Sequence, residues 1–150
     1  MINVVRFFQN LFPLKASGLE EFIAILKREG CTEINAFIEV SEPRGNESPT
    51  VGSIGNFAYS VILSGKTSND RPITYRHLVT KRFGSTRGFF DQVDDNKAIV
   101  KTMVAAYDLL EEINRKIPGV STSLLKPDGK PFSEDMRKQL FKDAKKMRLI

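Results

Sequence analysis

Between residues 33 and 82 the apolar side chains of this chain recur at every second position in three separate runs. That period commits the middle of the molecule to a β-sheet, because only an extended strand sends alternate side chains to opposite faces. In the first run Ile34, Ala36, Ile38 and Val40 share one face, with Glu33, Asn35 and Glu39 on the other. The second run places Phe57, Tyr59, Val61 and Leu63 together. The third aligns Ile73, Tyr75, His77 and Val79, with Thr74, Arg76, Thr80 and Arg82 facing the opposite way. Residues 41–53, rich in Ser, Pro and Gly, read as a long loop, and residues 64–72 as the turn between the second and third strands. Alternation of this kind predicts an antiparallel meander with one face buried and one wet.

Helical spacing flanks the strands. Val4, Val5, Phe8, Leu11 and Phe12 predict a short amphipathic helix that Pro13 ends. Ser17 and Glu20 form a capping box for a second helix, whose stripe is Leu19, Phe22, Ile23 and Leu26 and whose stop is Gly30. After a loop at residues 84–88 a long helix is expected over residues 95–116, carrying Ile99, Val100, Met103, Tyr107, Leu110 and Ile113 inward. Its positive end has Asp91, Asp94 and Asp95 nearby, and Glu111–Arg115 and Glu112–Lys116 are spaced to pair along it. Residues 120–125 predict a short fourth strand, Pro127-Asp128-Gly129 a tight turn, and Ser133 the cap of a final helix. The expected architecture is α+β: a small antiparallel sheet of three to four strands, with helices packed on one face, in a single domain over residues 1–150. A chain of 150 residues can bury about 68–70% of its unfolded surface, so it needs no covalent staple.

Several chemistries are excluded at this level. Cys31 is the single cysteine, which rules out an internal disulfide and a thiolate zinc site, and its place after Gly30 reads as packing. His77 is the single histidine and falls among Ile73, Tyr75 and Val79 on the expected core face, with no second histidine to share a metal. Gly65-Lys66-Thr67 has the ending of a phosphate-binding P-loop, but Ser60 stands where the first glycine is required and a turn follows where a helix is required. The loop at residues 84–88 could cradle a phosphate with its backbone N–H groups, yet three aspartates follow directly, and a plain connection is the expectation. No cofactor or metal is expected, and the reading leans against an enzyme.

Charge is distributed unevenly. The segment from Lys126 to the C-terminus carries eight Lys or Arg against four Asp or Glu, which is +4 of the chain's net +5. On the last helix Met136, Leu140, Ala144 and Met147 mark an apolar stripe, with cations over much of the remainder. The candidate anion-binding residues are therefore Arg76, Arg82 and Arg87 near the third strand, and Lys142, Lys145 and Lys146 at the end. Arg76 and Arg82 fall on one face of a regular strand, about 20 Å apart.

The expected function is that of a non-catalytic intracellular interaction or regulatory domain, with a protein partner or self-association. Nucleic-acid binding through the basic strand and C-terminal helix is the alternative, and a small-anion binder or enzyme around His77 a further one. Residues 1–14 are apolar but interrupted by Arg6, Gln9 and Asn10, so no transmembrane segment is expected there and the cytoplasm is the expected location.

Overall fold

A computed structural model of the chain describes residues 14–43, 47–48, 52–67, 70–86 and 88–150. The amphipathic helix expected over residues 4–12 lies outside them. The elements are β1 (Leu14–Lys15), α1 (Leu19–Arg28), β2 (Glu33–Ser41), β3 (Glu47–Ser48), β4 (Gly52–Lys66), β5 (Pro72–Ser85), α2 (Phe89–Lys116), β6 (Ser121–Leu124) and α3 (Glu134–Lys146). The fold is α+β, as expected, but the sheet is neither an antiparallel meander nor limited to three or four strands. Five strands lie in the order β1-β5-β4-β2-β6, and β3 pairs with β4 beside this path.

The sheet is mixed. β1 runs parallel to β5, with Leu14 opposite Ile73 and Lys15 opposite Thr74. β6 runs parallel to β2, with Glu33 opposite Ser121 and Ala36 opposite Leu124. β3 is antiparallel to β4. Neighbouring β4 and β5 are joined by residues 67–71 alone, a connection too short for a crossover, so they form an antiparallel hairpin. The Thr67 N–H donates to the Arg71 carbonyl at 2.9 Å, and Asp70 closes the turn at φ 58°. Alternation reports that a segment is extended and says nothing of its neighbour's direction. β6 re-enters the sheet after the 28 residues of α2, a connection long enough to permit a parallel return.

α1 begins one residue later than the expected capping box. Gly18 is the N-cap, and Glu21, not Glu20, occupies the position that reaches back. Its Oε2 accepts from the Ser17 N–H at 2.9 Å and from the Ser17 hydroxyl. These bonds hold the Glu21 carboxyl below the ordinary glutamate value. Gly30 ends the helix at φ 67°, where a side chain would be strained, and the Cys31 N–H returns to the Leu26 carbonyl. α2 starts six residues before the expected boundary. Its first turns carry Phe89, Phe90 and Val93, which are exposed and add nothing to the buried stripe from which the period was read. Farther along, Glu112 takes both Arg115 and Lys116 as partners. Ser133 caps α3 as expected, its Oγ accepting from the Met136 N–H at 3.2 Å.

Two compact units make up the chain. The first comprises Met1–Phe37, Ile62–His77 and Asp108–Pro131, and Phe22, Leu26, Ile34, Leu63, Ile73 and Ile113 are fully buried in it. α1 approaches β4 closely at Gly65, where a Cβ would lie 3.0 Å from Cys31 Sγ and 3.1 Å from a Leu26 methyl. The second comprises Ile38–Val61, Leu78–Tyr107 and Phe132–Ile150. It holds one cluster of Val100, Val104, Leu140 and Ala144 and another of Phe57, Tyr59 and Ala98.

Candidate functional site

The sequence places Arg82 on a wet strand face beside Arg76, and the structure turns it inward. Its side chain is 9% exposed, with the guanidinium carbon 4.1 Å from the centroid of the Phe57 ring. Nε donates to the Tyr59 hydroxyl at 3.0 Å, and Nη1 and Nη2 stand 3.7 and 3.6 Å from the carboxylates of Asp91 and Asp95. Tyr59 donates its own proton to Asp95 Oδ1 at 2.5 Å. Burial, and then the bond to Asp95, push the Tyr59 phenol up, so it remains a donor at neutral pH. One guanidinium thus meets two carboxylates of its own chain. An incoming anion would have to displace them.

The loop before α2 is closed by the same residues. Asp91 Oδ1 accepts from the Ser85 N–H at 3.1 Å, and Arg82 Nη1 donates to the Ser85 carbonyl at 3.4 Å. A methyl group on Gly84 would lie 2.5 Å from Asp91 Oδ1, so the carboxylate occupies the space beside the glycine. The glycines here admit an internal aspartate, and the segment serves as a connection. Arg87 lies outside the described residues. Arg76 is exposed on β5.

His77 is half-buried, with Nδ1 3.1 Å from the Tyr75 hydroxyl. The Tyr75 ring in turn packs 6.1 Å from Phe22, so the imidazole is held by an aromatic stack. Cys31 is buried, its Sγ 3.4 Å from the Glu33 carbonyl. Among the described residues no group of three His, Cys, Asp or Glu is placed to hold a metal ion. Lys66 and Thr67 close β4 and its turn, lining a polar cleft of about 410 Å³ with Thr32, Glu33, Asn35 and Asp70. Two carboxylates there face one ammonium, which does not favour a phosphate.

On α3, Lys142, Lys145 and Lys146 are exposed together with Lys138, and their spacing of four, three and one residues aligns them along one side of the helix. Arg137 is directed elsewhere, over the rings of Tyr107 at 5.1 Å and Phe141 at 5.8 Å. Arg82 serves an internal network, and the three lysines form a surface stripe.

What the sequence reading missed is apolar. Phe83, Phe89 and Phe90 are 73%, 74% and 80% exposed, and the last two rings meet edge-on at 5.6 Å. Leu78, Ile54 and Val93, in the same unit, are exposed as well. No local signal marked them, since an apolar stripe about 100° wide takes adjacent residues, as Phe22 and Ile23 show on α1. Large exposed apolar patches are uncommon on monomers, and they mark docking sites more often than buried hydrophobics mark function.

Among the described residues, no helix is long and apolar enough to cross a membrane. Compared with protein-family models, with curated proteins and with solved structures, the chain matches none.

Proposed function

We propose that this chain is a non-catalytic interaction domain that docks through the apolar surface of Phe83, Phe89 and Phe90. The observation that carries the reading is the exposure of all three rings at the junction of β5 and α2. Fully burying a phenylalanine contributes about 1.5–3 kcal/mol, so the three supply about 4–9 kcal/mol. Association costs about 4–15 kcal/mol in lost freedom, so the rings are a substantial anchor but need further contacts around them. The closure of Arg82 on its own carboxylates supports a binding role over a catalytic one. A cytoplasmic location accords with the lone thiol of Cys31.

The reading is tested with Phe89→Ser/Phe90→Ser. Both rings are exposed, so the double variant should fold with unchanged circular dichroism. It should also lose whatever association the wild type shows in light scattering and in affinity capture. Association equal to the wild type would remove the reading.

A second reading, binding of nucleic acid, rests on the exposed stripe of Lys138, Lys142, Lys145 and Lys146 along α3. It predicts affinity that falls steeply with salt and is lost on changing Lys142, Lys145 and Lys146 to Glu. Binding indifferent to either would exclude it.

A further inference from the structure

We infer that two copies of this chain join by pairing the outer edges of their β5 strands, making one continuous sheet. The inference rests on the interaction reading above and specifies its partner. β5 has 14 residues, with β4 along one side. On the other side β1 covers Ile73 and Thr74 alone. The chain then leaves the edge: the Ala16 N–H bonds the Thr74 carbonyl at 2.9 Å and α1 begins at Leu19. Among the described residues no further strand lies along that side at residues 78–83. Three side chains of the stretch lie at the surface: Leu78 is 48% and Phe83 73% exposed, and Lys81 is exposed with them.

A long strand edge of this kind is a template for another strand, and natural proteins blunt such edges with proline, charge or short length. Here residues 78–83 contain no proline and a single outward cation, Lys81, because Arg82 is turned onto Tyr59 and Phe57. The sequence also suits its own copy. An antiparallel pair about a two-fold axis at Thr80 sets Thr80 against Thr80, Val79 against Lys81, and Leu78 against Arg82, so no two cations face each other. An axis at Lys81 would oppose two lysines. Phe83, three residues from the Thr80 axis, is carried against the partner strand, which places the aromatic surface at the contact. The operation is a closed two-fold, so each edge is used once and the assembly stops at two chains.

The experiment is light scattering of the full chain from low to high micromolar concentration, with hydrogen exchange of the amides in residues 78–83 read at both ends. Wild type should reach the mass of two chains while those amides slow. Leu78→Lys, which replaces an exposed apolar side chain with a charge of the kind that blunts strand edges, should return the mass to one chain with unchanged circular dichroism. Lys81→Glu should leave the dimer intact, since Lys81 faces Val79. A single-chain mass throughout would overturn the inference, as would a dimer whose edge amides exchange at the monomer rate. A dimer dispersed by Phe89→Ser/Phe90→Ser but indifferent to Leu78→Lys would overturn strand pairing and leave the aromatic docking reading standing. The converse result would keep strand pairing and remove the aromatic reading.

Discussion

The guanidinium of Arg82 lies beneath the ring of Phe57, 4.1 Å from its centroid, and from there reaches Tyr59, Asp91 and Asp95. This contact ties β5 and β4 to the first turns of α2. Arg82→Met should destabilise the fold. Removing one member of a fully buried ion pair costs about 3–5 kcal/mol. Asp91 and Asp95 remain 33% and 38% exposed and can be rehydrated, so about 1–3 kcal/mol is expected here. Arg82→Lys should recover little, because one ammonium cannot reproduce the planar fork that serves Tyr59, Ser85, Asp91 and Asp95 together. Urea denaturation measures both, and an Arg82→Met protein as stable as the wild type would show the network to be idle.

Glu21 supplies a pH dependence. Its carboxyl is held below the ordinary value, first by the Ser17 hydroxyl and then by the Ser17 N–H. A depressed folded-state pKa gives stability that is present above the unfolded value and lost as pH falls through the folded one. The stability gap between the wild type and Glu21→Gln should therefore be largest near neutrality and close on acidification, from about pH 7 to about pH 3. Denaturant midpoints across that range provide the check; a gap that widened in acid would contradict the assignment.

Gly65 sets the distance between β4 and α1. An added methyl would lie 3.0 Å from Cys31 Sγ, 3.0 Å from Ile34 Cδ1 and 3.1 Å from Leu26 Cδ2. Overpacking of this kind costs about 1–3 kcal/mol, and Gly65→Ala should fall in that range. Cys31→Ala/Gly65→Ala should be less destabilised than the sum of its single variants, because the sulfur is removed from the crowded point. Strict additivity in thermal denaturation would place the crowding elsewhere.

The two sides of α3 should respond differently to truncation. Leu140 is buried among Val100, Val104 and Ala144, and Leu140→Ala should cost about 2–5 kcal/mol. Lys142 is exposed, and Lys142→Ala should change stability by no more than about 0.5 kcal/mol. Comparable losses in chemical denaturation would mean that the lysine stripe packs against something.

The elements themselves were largely legible. The three alternating runs are β2, β4 and β5, the Ser133 cap is in place, and Gly30 stops α1. What escaped were positions where periodicity carries no information. β1 is two residues long, below the length at which any period is visible. The first turns of α2 bury no stripe, so periodicity marks the helix only from Asp95 although it begins at Phe89. The capping partner of Ser17 shifted by one residue because the helix starts after Gly18, a difference smaller than the usual uncertainty of a boundary.

For the candidate site the division is sharper. Alternation cannot hold one parity through a strand of 14 residues: Ile73 is buried at an odd position and Arg82 at an even one, while Phe83 is left outside. A period of two assigns a face only while the strand stays regular and the same face stays covered. The sequence by itself determined the extended and helical segments, the single thiol and histidine, and the basic charge of the C-terminal helix, because these depend on residue identity and short-range spacing. The tertiary structure alone decided that β6 returns parallel beside β2, that Arg82 closes on Asp91 and Asp95, and that Phe83, Phe89 and Phe90 remain in water. Each of those outcomes depends on which distant segments meet, and contacts between distant segments leave no mark on local periodicity.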